Sequence, residues 1–172
     1  MKKYIVTLLF AQCLMFSTAL SWAATYATSD LKGTWNIYTT GLQITEDSSV
    51  SQKSYVDDAW WARSTIVVQY TDGAAYATVK AGSTLYVYSN AYGAQTGTIT
   101  TGRLYLTTAG VIGSTTSYVK FSMVQDSVTK TFTLYIRHAT MSLDKQTFTG
   151  VHNFGNTSTA ILPFGTITGV KR

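Results

Sequence analysis

Cysteine is nearly absent from this chain: Cys13 is the only one in 172 residues, and it lies inside an N-terminal apolar stretch. That stretch has the three parts of an export signal. Lys2 and Lys3 are a positive start, Tyr4 to Leu20 is an almost uncharged apolar run, and Ser21-Trp22-Ala23 places small residues for cleavage after Ala23, with Ala24 as the next choice. We therefore expect a signal peptide over residues 1–23 and a single all-β domain over 24–172, exported to the periplasm or the extracellular space. Such a mature chain has no thiol, which excludes disulfides, a cysteine nucleophile and thiolate metal sites. It must be stabilised by core burial, and the 149 residues that remain are enough for one domain with a real core.

Charge is also scarce, at 12% of residues. After the signal, eleven Lys and Arg face eight acids, a formal charge of +3, and no basic run exceeds Lys171-Arg172. Nucleic-acid binders concentrate their charge, so none is expected as a partner. No second apolar stretch of about 18 residues exists, so the mature chain carries no spanning helix. A C-terminus of Val170-Lys171-Arg172 also lacks the aromatic end usual in outer-membrane barrels.

Helical periodicity is missing, and Thr, Tyr, Val, Ile and Phe dominate instead. Period-two alternation is plain. Val119, Phe121 and Met123 share a face, as do Phe132, Leu134 and Ile136, then Ile66, Val68 and Tyr70, then Phe148, His152 and Phe154. Thr34–Leu42, Ala75–Lys80, Thr84–Ser89, Gly97–Leu106 and Leu162–Val170 read as further strands. Asp72-Gly73 is a strong hairpin signal, and Ser89-Asn90, Tyr92-Gly93, Asp126-Ser127, Asp144-Lys145 and Asn153–Asn156 carry turn chemistry. The fold expected is an antiparallel meander of about eight to ten strands, closed on itself as a barrel, with a β-sandwich as the alternative. The longest segment without a strand pattern is Thr45–Ala62, which holds Glu46, Asp47, Asp57 and Asp58 and ends in Trp60-Trp61. It reads as a long first loop, either functional or merely mobile.

Ser29-Asp30-Leu31-Lys32-Gly33-Thr34-Trp35 resembles the opening of a calycin barrel, the superfamily of lipocalins and avidins. There a first strand begins with Gly-x-Trp after a short helical turn, which Ser29-Asp30 is suited to cap. The resemblance implies a lipocalin-like barrel with Trp35 closing one end and Lys171 or Arg172 packed across it. It does not extend to the tryptophan-lined site of the avidins, because no Trp follows Trp61.

Three clusters carry candidate chemistry. His138 and His152 both fall in phase with apolar neighbours. With Asp144-Lys145 at a hairpin tip they are expected on one face and within reach of each other, as ligand contacts or as core histidines with local hydrogen bonds. In Trp60-Trp61-Ala62-Arg63 an extended chain places the two tryptophans on opposite sides, one inward and one toward solvent, a ligand or a partner; the alternative is that both cover a barrel end. Eleven tyrosines remain after the signal, and stripes such as Tyr86 and Tyr88 hold flat ligands or stabilise sheets. A metal site would need a third ligand, and no cofactor is expected. No nucleophile elbow, zinc helix or phosphate loop is present, and Asp57-Asp58 are adjacent rather than convergent. Asn156-Thr157-Ser158 fits a glycosylation sequon.

The expected function is a non-enzymatic binding protein. Its partner is a small apolar or aromatic ligand held in a barrel mouth by Trp60, Trp61, Arg63, His138 and His152. The alternatives are a protein-interaction module (an inhibitor, adhesin or assembly subunit) using residues 45–62, and a hydrolase of unrecognised type.

Overall fold

The computed structural model describes residues 25–47, 54–90, 92–113, 117–125, 127–155 and 164–172. The expected signal and Cys13, the Asn156 sequon and residues 48–53 lie outside them. A 3₁₀ turn at Thr28–Leu31 leads into β1 (Gly33–Asp47), β2 (Ser54–Gln69), β3 (Ala77–Val79), β4 (Thr84–Ser89) and β5 (Gly93–Leu104). β6 (Val111–Gly113), β7 (Tyr118–Gln125), β8 (Val128–Met141), β9 (Thr147–Gly155) and β10 (Phe164–Lys171) complete the chain.

Every long strand pairs antiparallel with its neighbours in the sequence, and β10 returns to pair with β1 from Trp35↔Lys171 to Gly41↔Gly165. The eight strands β1, β2, β4, β5, β7, β8, β9 and β10 thus close into a barrel, which excludes the sandwich. The two short strands continue interrupted lines of this barrel. β3 fills the place of β4 between β2 and β5, and β6 extends β7 along β8. Closure leaves none of the eight as an edge, the usual liability of an all-β domain.

The alternation expected from sequence sets the inside. Phe121, Met123, Phe132, Leu134, Ile136, Ile66 and Val68 are all buried, and Tyr70 and Val119 pack partly against them. The turns at Asp72-Gly73 and Asp144-Lys145 form with the expected chemistry, and Asp126 of the expected Asp126-Ser127 turn lies outside the described residues. Gly73 takes φ +81° after Asp72, with the Ala74 amide donating to Thr71 O at 3.0 Å. Lys145 takes φ +59° after Asp144, whose carboxylate accepts from the Gln146 amide at 3.0 Å.

Two expectations need correction. Thr45–Ala62 is not a long loop: β1 runs on to Asp47 and β2 starts at Ser54, paired continuously from Gly33↔Val68 to Asp47↔Ser54. The polar composition concealed a two-stranded ribbon whose outer part pairs only with itself, since β10 leaves β1 at Gly41 and β4 leaves β2 at Trp60. A strand that projects past the barrel needs no apolar face, so it shows no apolar alternation. Likewise, Asn153 is no turn residue, because β9 continues to Gly155.

One end of the barrel is plugged. Trp35 is 1% exposed, its indole N–H donates to Leu31 O at 2.7 Å, and its ring meets Phe148 at 5.2 Å between centroids. The Lys171 ammonium lies 5.5 Å from the Trp35 ring centre and donates to Asp30 O at 3.0 Å. Lys171, rather than Arg172, therefore covers the tryptophan. Ser29 and Asp30 sit inside the 3₁₀ turn instead of capping it: the cap is Ala27, whose amide donates to the Asp30 carboxylate at 2.9 Å. Lys145 completes the plug with an ion pair to Asp30 at 2.8 Å.

Replacing Trp35 with Ala removes a buried ring and its hydrogen bond, and should cost about 3–5 kcal/mol, read from the urea midpoint. Deleting Glu46–Asp58 and joining the stubs with a short turn should instead leave cooperative unfolding intact and move the midpoint little, because among the described residues that part of β1 and β2 pairs with no third strand.

Candidate functional site at the open end of the barrel

Opposite the plug, one row of inward positions crosses four strands: Trp60 on β2, Gly41 on β1, Gly165 on β10 and His152 on β9, each the register partner of the next. The two glycines in the middle are what let the two rings lie down across the barrel. A Cβ at Gly41 would meet the Trp60 ring at 2.8 Å, and one at Gly165 would meet His152 Nε2 at 2.5 Å. The rings approach to 5.4 Å between centroids, tilted by 50°. Trp60 and His152 thus fill one side of the barrel's upper half.

The other side stays open. Between Trp60 and the β4, β5 and β7 wall lies a cavity of about 60 Å³. Its sides are apolar, with Ala62, Val87, Ile99, Phe121 and Met123 among them. Its upper part is polar, formed by Ser89, Tyr92, Gln95 and Gln125. Ser89 Oγ accepts from the Tyr92 amide at 3.1 Å, and Gln95 donates to Val124 O at 3.3 Å. The Gln125 amide reaches Gln95 Oε1 at 3.5 Å.

His152 is fully buried. Its Nε2–H donates to Thr40 O at 3.1 Å, which makes the other ring nitrogen an acceptor. That Nδ1 is buried and finds no hydrogen-bond donor among the described residues. Burial pushes the imidazole pKa below its ordinary 6.5, and the Thr40 carbonyl offsets this only in part.

The five residues named from sequence are therefore dispersed. Trp60 lines the cavity and His152 stands behind it. Trp61 and Arg63 point outward, as strict alternation requires: Trp61 is 44% exposed and stacks on Tyr88 at 6.1 Å, while Arg63 lies 5.5 Å from the Tyr86 ring centre. With Thr96 and Val124 they line a groove of about 560 Å³ on the barrel's outside.

His138 does not share a face with His152. The register slips between Ile136 and His138, so that Ile136 pairs with His152 but His138 pairs with Val151. The β-bulge at Arg137 turns His138 to the exposed outer side. Sequence reasoning missed Ser89, Gln95 and Gln125, although a signal existed: Gln125 continues the inward phase of Val119, Phe121 and Met123, and Gln95 that of Ile99.

A buried neutral histidine makes stability depend on pH. The unfolded chain takes up a proton near 6.5, whereas the folded imidazole resists it, so the unfolded state binds more protons below that pH. Stability should be full above about pH 7 and fall as pH drops below 6.5, by at most about 1.4 kcal/mol per pH unit from this one group. His152→Gln should flatten the slope of thermal midpoint against pH between 7 and 5.

Searches of protein-family models, of curated proteins and of solved structures return no match to this chain.

Proposed function

We propose that this chain is an exported, non-enzymatic binding protein, periplasmic or extracellular, for a small apolar or aromatic ligand, and that it seats a narrow apolar end of that ligand in the throat beside Trp60. The observation that carries this reading is the composition of the cavity: apolar walls with an indole on one side, topped by the amides of Gln95 and Gln125 and the hydroxyls of Ser89 and Tyr92. Small-molecule sites are built that way, with apolar surface for affinity and a few placed polar groups for orientation.

Size limits the ligand. The throat holds about 60 Å³, well under the roughly 150 Å³ engineered cavity that admits a benzene. A ligand would insert a narrow apolar end and leave its body in the mouth between the β4–β5 and β7–β8 turns. The Gly33-Thr34-Trp35 opening with Lys171 laid over the indole supports a calycin-like assignment, in keeping with such a role.

One observation favours a second reading, a protein-interaction module. The β1–β2 ribbon projects beyond the barrel, and at its base the exposed Trp61–Tyr88 stack sits on the same outer face as Arg63. Aromatic and Arg side chains together are frequent interface anchors.

Titration with cis-parinaric acid, a fluorescent fatty acid whose slender chain suits a narrow throat, tests the first reading. Enhanced probe emission is expected, and Ala62→Leu, which adds bulk to the cavity wall, should weaken binding by about tenfold or more while leaving the circular dichroism spectrum unchanged. Equal affinity in the two proteins would place the probe elsewhere and remove the case for the throat.

A further inference from the structure

The outer wall formed by β5, β7 and β8 has a charge pattern that the barrel interior does not explain. These strands contain 34 residues and no Asp or Glu, yet they carry Arg103, Lys120, Lys130 and Arg137. Lys130 stands at the rim, in register with the inward Met123. The other three lie on the outside, because Leu104, Phe121 and Ile136, their chain neighbours, point inward.

Tyrosines join these three cations into one continuous band. Arg103 lies 4.0 Å from the ring centre of Tyr76 and 6.0 Å from that of Tyr118. Lys120 lies 5.5 Å from Tyr118. Tyr118 meets Tyr135 across the β7–β8 pairing at 6.3 Å, and Arg137 lies 5.4 Å from Tyr135. Among the described residues, none of Arg103, Lys120 and Arg137 has a carboxylate within 4.0 Å. The described acids lie on other elements: Asp30 in the 3₁₀ turn, Asp72 and Asp144 in turns at the plugged end, and Glu46, Asp47, Asp57 and Asp58 on the β1–β2 ribbon.

We propose that this band is a docking surface for an acidic polysaccharide. Three unneutralised cations on the adjacent strands β5, β7 and β8 complement a chain that carries a carboxylate or sulfate at intervals along its length: Arg103 is level with Tyr118 and Tyr135, and Lys120 and Arg137 lie two residues to either side of that level. The tyrosines fix the guanidinium groups by cation–π contact before any ligand arrives, so less side-chain freedom is lost on binding. Their hydroxyls add donors for sugar oxygens.

Nucleic acid fits less well. Single-strand binders use open aromatic faces on which bases stack, and here the tyrosine rings already carry cations. Duplex binders neutralise about 6–10 phosphates, and three cations fall short of that. The band lies on the outside of the barrel and is independent of the throat.

The test is affinity chromatography of the processed protein on immobilised polygalacturonate, with neutral dextran and duplex DNA as parallel matrices. The wild type should be retained on polygalacturonate, elute in a salt gradient, and pass through dextran. R103Q/K120Q/R137Q should elute at clearly lower salt, with affinity reduced about tenfold or more. K32Q/K80Q/R172Q removes the same net charge from other exposed positions and should elute with the wild type. Circular dichroism checks that both triple variants are folded. Flow-through of the wild type, equal retention of the two triple variants, retention on dextran, or tighter retention on DNA would each overturn the proposal.

Discussion

The pairing of β10 with β1 is the contact on which everything else rests. Without it the sheet would have two long free edges and an interior open along its side. With it, the register from Trp35↔Lys171 to Gly41↔Gly165 makes a closed surface with a defined inside. The same register also builds the plug. Lys171 is the cross-strand partner of Trp35 and the cation laid over its ring, so the strand that closes the barrel seals its end as well. A folded part that lacks any cysteine cannot rely on a covalent tie for this. Closure, and the burial of Trp35, Phe148 and Leu31 that follows, does that work instead.

Where the cavity sits follows from where glycine sits. Three of the inward rings are each the register partner of a glycine: Trp60 of Gly41, His152 of Gly165 and Phe148 of Gly169. A side chain at any of the three would collide with the ring it faces. All three glycines lie on β1 and β10, so the rings of β2 and β9 fold over those two strands and occupy part of that half of the interior. The opposite half, walled by β4, β5 and β7, receives Val87, Ile99, Met123 and two glutamines and borders the space, which also reaches Ile37 and Thr39 of β1 and Ile167 of β10. The rings over the seam thus narrow the interior without filling it.

Much of the fold was legible because a half-buried strand alternates with period two. The phases of β7 and β8, the opposed pair Trp60 and Trp61, and the turns at Asp72-Gly73 and Asp144-Lys145 could all be read from single residues. The resemblance implied a basic residue, Lys171 or Arg172, across Trp35, and it is Lys171 that lies there. The failures have two physical sources. Alternation signals burial, so it is silent where a ribbon leaves the barrel, and residues 45–47 and 54–62 read as part of a loop although they are strand. Alternation also assumes an unbroken register, and the bulge at Arg137 breaks it between Ile136 and His138. One extra residue was enough to separate two histidines that the uninterrupted pattern places together.

That bulge also shows how the molecule separates its two surfaces. An intact strand would have sent His138 inward, toward an interior whose one histidine is held neutral by burial. The slip keeps a second imidazole out of that low-dielectric space, where taking on charge is costly. Arg137 and His138 instead both reach the outer side of β8, where water screens them. The same division holds around the β5, β7 and β8 wall: its outer positions take cations and tyrosines, and its inner positions take aliphatics, aromatics and amides. Because neighbouring residues of a strand face opposite ways, either surface can change its chemistry while the other keeps its own. One closed sheet can therefore hold an apolar throat and a charged wall a single sheet's thickness apart.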